Sequence, residues 1–84
     1  MQSEIDYLGR IIDVMESNTN TNEIMRFHNE LKIFTPVGVS ETDCDVMWYK
    51  AWRSCPADLI GAPDIDTIRK CCIIFCKMLM KRIQ

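Results

Sequence analysis

The chain has 84 residues, about half of them hydrophobic, and a formal net charge of −2. A chain this short buries only about 60–65% of its unfolded surface, which leaves little room for an internal active-site cavity beside a core. With three glycines and three prolines, the composition excludes a low-complexity disordered chain and favours one small packed domain over residues 1–84.

The charge is unevenly placed. Residues 67–84 contain Arg69, Lys70, Lys77, Lys81 and Arg82 and no acid, a local charge of +5. Residues 1–66 hold all twelve acids against five cations, a local charge of −7. Such a split speaks about partners, not about fold. Near the N-terminus, Glu4, Asp6, Arg10 and Asp13 interrupt the place where the apolar core of a signal peptide would lie. The apolar run at 71–80 is ten residues long and contains Lys77. A membrane span needs about 20, so no membrane partner is expected.

The first predicted helix covers about residues 3–16. Ser3 followed by Asp6 has the spacing of a helix start. Ile5, Leu8, Ile12 and Met15 recur at three and four, one apolar stripe that Tyr7, Ile11 and Val14 widen. Residues 17–22 are Ser, Asn and Thr throughout, a loop whose end caps the next helix. The second helix covers about 22–32, with Ile24, Phe27, Leu31 and His28 facing inward. Residues 33–39 combine β-branched side chains with Pro36 and Gly38. That mixture predicts an extended apolar linker lying on the helices, with no second strand to pair with it.

The third helix starts at Ser40, with Asp43 in the capping-box position, and runs to about Ser54. Cys44, Trp48, Ala51, Trp52 and Cys55 form one face; Val46, Lys50 and Arg53 form the opposite one. Pro56 ends it, and residues 56–61 form a short fifth turn with Gly61 past its end. The fourth helix follows Pro63-Asp64 and runs to the end of the chain. Ile65, Ile68, Cys72, Phe75, Leu79 and Ile83 share a face, and Lys70, Lys77 and Lys81 lie opposite. Acids at its start and cations at its end both suit the helix dipole. The fold class predicted is all-α: a compact single domain of four to five short helices with a long C-terminal amphipathic helix.

The five cysteines are odd in number, and Cys71, Cys72 and Cys76 crowd one helix. That pattern predicts free thiols in a reducing, cytoplasmic or nuclear compartment. A structural zinc wants four ligands from separate elements, usually with a tight Cys-x-x-Cys turn, and the one histidine is His28. Small cysteines filling gaps between helices account for the cluster, so no metal and no cofactor is expected. No convergent acid, base and nucleophile can be named, which argues against an enzyme. The pairs Asp43/Asp45 and Asp64/Asp66 sit at helix starts, where capping and dipole effects explain them.

Direct specific nucleic-acid binding is not expected, because the chain is net acidic and no aromatic is interleaved with the lysines. Protein binding fits best. Lys70, Lys77 and Lys81 make a basic ridge that Ile73 and Ile74 flank as apolar shoulders, suited to an acidic, partly apolar partner segment. Lys50 and Arg53, with Val46, offer a second patch. Trp48 and Trp52 are core anchors, and a domain this small is expected to leave one of them lining a shallow pocket beside the basic surface. The runner-up is a small intracellular thiol-rich enzyme or metal-binding regulatory protein.

The stretch Val46-Met47-Trp48-Tyr49-Lys50-Ala51-Trp52 through Lys81-Arg82-Ile83-Gln84, roughly the last half of the chain, resembles the C-terminal, nucleocapsid-binding domain of rhabdovirus phosphoproteins. The resemblance is one of pattern and size, in a family whose plant-infecting members diverge most. It implies a monomeric helical domain of a non-enzymatic polymerase cofactor. Such a domain docks on the nucleoprotein that coats viral RNA, in the host cytoplasm, and its basic patch meets acidic segments of the nucleoprotein. Lys70, Lys77 and Lys81 are the counterparts by chemistry. The resemblance also implies an excised domain, with the family's oligomerisation and N-terminal regions upstream.

Overall fold

A computed structural model describes residues 2–17, 20–55 and 64–83. Four helices follow in order: α1 (Gln2–Ser17), α2 (Thr21–Lys32), α3 (Glu41–Ser54) and α4 (Ile65–Ile83). Among the described residues there is no strand. The all-α class with a long closing helix is therefore correct. The fifth turn expected at 56–61 lies outside the described residues.

Each of the last three helices starts where a side chain takes an orphan backbone N–H. Asn20 Oδ1 accepts from Glu23 N at 3.2 Å, Ser40 Oγ from Asp43 N at 3.1 Å, and Asp64 Oδ1 from Thr67 N at 2.8 Å. The Ser3 start is a correction: α1 is already helical at Gln2, and Ser3 lies exposed inside its first turn. At the other end, Arg69 Nη1 donates to the Met15 carbonyl at 2.7 Å and so caps α1 from α4.

α4 is the hub. It packs against α1, α2 and α3, and α1 also meets α2. At its thinnest the Cα trace spans 17 Å, which is two helix layers deep. Ile68, Cys71, Cys72, Phe75, Cys76 and Leu79 bury the inward face of α4. Against it lie Leu8, Ile11 and Met15 of α1, Ile24, Phe27 and Leu31 of α2, and Cys44 and Ala51 of α3. The α1 stripe is thus rotated from the expected one: Ile11 is fully buried, and Ile5 and Ile12 only partly. Three cysteines on α4 let its neighbours approach closely, as small side chains do.

The linker at 33–39 lies on α1. Val37 N donates to Glu4 Oε2 at 3.0 Å, and the Phe34 ring sits 5.2 Å from that of Tyr7. Val39 N returns to the Pro36 carbonyl at 3.1 Å, closing a turn whose third residue, Gly38, has φ +85°. Only glycine adopts that conformation without strain. Pro36 and Val39 are buried, whereas Ile33 (85%) and Val37 (74%) point to solvent, so only part of the linker is apolar packing. No described helix is long and apolar enough to cross a membrane.

Candidate functional site: a cationic groove between α3 and α4

α3 and α4 run antiparallel. Asp43, at the start of α3, reaches Arg82, at the end of α4, with Oδ2 to Nη2 at 3.0 Å. Trp48, further along α3, stacks on Phe75, earlier on α4, with ring centroids 4.0 Å apart and planes 16° off parallel. Two helices meeting this way leave a furrow along their outer line of contact. Here it is lined by Asp43, Val46, Met47 and Lys50 from α3 and by Met78, Lys81 and Arg82 from α4, and it encloses about 410 Å³. That volume falls within the usual range of ligand clefts.

The lining has a definite order. Residues 43, 46, 47 and 50 follow the i, i+3, i+4, i+7 spacing of one helical stripe. Val46, Met47 and Met78 make an apolar floor, and Val46 keeps 46% of its surface in solvent. Lys50, Lys81 and Arg82 make a positive rim, and among the described residues Asp43 is the one acid lining it. Among the described residues neither Lys50 nor Lys81 makes an ion pair. Methionine is unbranched and polarisable, and adapts to whatever apolar side chain lies on it.

The groove redistributes the residues the pattern singled out. Lys70, Lys77 and Lys81 are all exposed on the outward face of α4, as expected. Only Lys81 lines the groove; Lys70 lies near Asp64, whose carboxyl is held low by hydrogen bonds from Thr67 and, to a lesser degree, by the Lys70 charge. Lys50, placed on a separate patch by the helical wheel, comes to the same rim as Lys81. Arg53 does not: its Nη1 donates to Tyr49 Oη at 3.0 Å and its guanidinium lies 5.5 Å from that ring. Ile73 and Ile74 are half-buried and pack against the core, so the shoulders of the ridge are partly used by the fold. Arg82, Met47 and Met78 belong to the site and were missed. The signal for them was a second stripe on each helix, but only the antiparallel pairing brings the two stripes together.

Trp48 also lies outside the groove. It is half-buried between α4 and α2, stacked on Phe75 and meeting His28 edge-on at 5.9 Å. Both tryptophans line one pocket of about 320 Å³, with His28, Lys32 and Asp45. That pocket lies between α2 and α3, away from the lysines of α4. Trp48 Nε1 and His28 Nδ1 are buried there, and among the described residues neither has a hydrogen-bond partner. Burial, reinforced by the charge of Lys32, lowers the affinity of His28 for a proton.

All five cysteines are free and buried. Burial pushes the thiols of Cys72 and Cys76 up to about 12, and raises Cys71 too, with Cys55 beside it. At neutral pH these thiols are protonated, and a protonated thiol is a poor nucleophile and metal ligand. The described residues bring no three of His, Cys, Asp and Glu into a metal-holding group. Comparison of the chain with protein families, with curated proteins and with solved structures finds no match.

Proposed function

We propose that this is a non-enzymatic docking domain that receives an acidic, partly apolar segment of a partner protein in the α3–α4 groove. One observation carries the reading: cations from two helices, Lys50 with Lys81 and Arg82, surround an apolar floor of Val46, Met47 and Met78. A charged rim steers an acidic partner and sets its register, while the floor supplies the apolar burial that holds it. In its concrete form the partner is a viral nucleoprotein on RNA and the whole protein a polymerase cofactor in the host cytoplasm, as the resemblance implies. RNA itself is a poor ligand for the groove, since Asp43 lines it and, among the described residues, no aromatic does. The thiol-rich enzyme or metal protein has less support, because the cysteines are buried and protonated.

The test is a double charge reversal, Lys50→Glu with Lys81→Glu. Both residues are exposed, so circular dichroism and thermal melting should change little. Affinity for an isolated nucleoprotein–RNA complex, measured at two salt concentrations, should fall on the order of tenfold or more and lose much of its salt dependence. Reversing Lys70 and Lys77, which lie outside the groove, should cost less. Unchanged affinity in a folded Lys50/Lys81 variant refutes the groove.

A further inference from the structure

On the docking reading above, the acid in the groove has a role of its own. A site for acidic segments gains nothing from an acid of its own, yet Asp43 lies on the rim and holds Arg82 at 3.0 Å. The pair is half-exposed, with side-chain exposures of 54% for Arg82 and 47% for Asp43. Water competes for both groups, so the pair is weak and exchangeable. We propose that the Asp43 carboxylate occupies, in the free domain, the position that an acidic side chain of the partner takes on docking.

Two features support the exchange. The first is geometric. Asp43 and Lys50 stand seven residues apart on α3, about 10 Å or two helical turns. An amphipathic helix laid on the floor presents acids at that same spacing, one toward Lys50 and one toward the Lys81–Arg82 end of α4. The second is that the displaced carboxylate has somewhere to go. Asp43 is the third residue of α3 after its cap, Ser40, whose Oγ already takes the Asp43 N–H. From that position a carboxylate can turn back to the N–H of the cap residue and close a capping box, at the positive end of the helix dipole. Asp43 thus trades Arg82 for the helix terminus, and the partner's acid takes the guanidinium. The device sets a threshold: an acidic segment must displace Asp43 to reach Arg82, so its affinity is held below what the free guanidinium would give, whereas a neutral apolar segment leaves the pair in place.

The probe is a fluorescein-labelled amphipathic peptide of three helical turns with leucines at i, i+3 and i+4 and flanking glutamates, paired with a glutamine version. Wild-type protein should prefer the glutamate peptide. Asp43→Asn should bind it up to about fivefold more tightly, the range an exposed ion pair spans, and should bind the glutamine peptide unchanged. The gain should vanish when Arg82→Gln is added. Asp45→Asn removes the same charge from the neighbouring pocket and should give no gain. No gain in Asp43→Asn, an equal gain in Asp45→Asn, or a gain that survives Arg82→Gln overturns the exchange while leaving the docking groove standing. A wild-type protein that binds neither peptide overturns both.

Discussion

Replacing Phe75 by alanine tests the core and the wall of the groove at once. Phe75 is fully buried at the middle of α4 and stacks on Trp48 at 4.0 Å, the contact that holds α3 against α4. Truncating a buried phenylalanine costs about 3–5 kcal/mol, from lost transfer energy and the cavity left behind. Loss of the aromatic pair falls toward the upper end of that range, since such pairs contribute about 0.5–1.5 kcal/mol beyond their area. At roughly 0.05–0.15 kcal/mol per residue, a domain of this size holds only on the order of 4–12 kcal/mol in all. Phe75→Ala should therefore remove between about a quarter and all of the stability of the domain. Phe75→Leu, which keeps most of the volume, should cost about 1–2 kcal/mol and remain folded. Urea titration followed by far-UV circular dichroism and by tryptophan fluorescence measures both. In the leucine variant the Trp48 emission should shift with little loss of helix. A loss below about 1 kcal/mol for Phe75→Ala would mean that the α3–α4 seam is not closed, and the groove built on that seam would fall with it.

Three further outcomes are expected. Native protein should react slowly with a thiol reagent, with the slightly exposed Cys44 and Cys55 ahead of the fully buried Cys71, Cys72 and Cys76, and with all five fast in urea; rapid native labelling of Cys72 or Cys76 contradicts the packing. The pKa of His28 is depressed from 6.5 in the folded state, so the unfolded chain binds the extra proton and stability falls as pH drops below about 6.5. His28→Gln should flatten that slope between about pH 6.5 and 5, above the carboxylate range, in urea melts taken at each pH. Ser40→Ala removes the α3 cap and should cost about 1 kcal/mol in the same assay, with Ser40→Gly milder.

Much of the fold could be read from periodicity. On α4 apolar residues and lysines separate well at 100° per residue, so the lysine face and the centre of the buried face (Ile68, Cys72, Phe75 and Leu79) came out as expected, while Ile65 and Ile83 at the ends are only partly buried and Cys71 and Cys76 join the core. On α1 they do not: Ile5, Tyr7, Leu8, Ile11, Ile12, Val14 and Met15 cover so wide an arc that the pattern could not locate its centre. Packing against α4 chose Leu8, Ile11 and Met15. Ser3 misled because a serine followed by an acid also occurs within a first turn, where nothing local tells the two apart. The candidate site was half legible. Lys50 and Lys81 were singled out as cations on separate surfaces, and their meeting is a tertiary fact that neither helix encodes alone. Arg53 and Trp48 fall outside the groove for the same reason: a helical wheel gives the direction of a side chain, and not what comes to meet it.

The hub position of α4 has a consequence for how the chain is made. Synthesis runs from the N-terminus, and α1, α2 and α3 emerge before the helix against which each of them packs. Until α4 appears, Leu8, Ile11, Ile24, Phe27 and Ala51 have no complete apolar partner surface. Without α4 the three earlier helices cannot complete the core. A stop codon or frameshift within α4 would release not a shortened domain but a chain with no core, exposed to chaperones and proteases from the moment it leaves the ribosome.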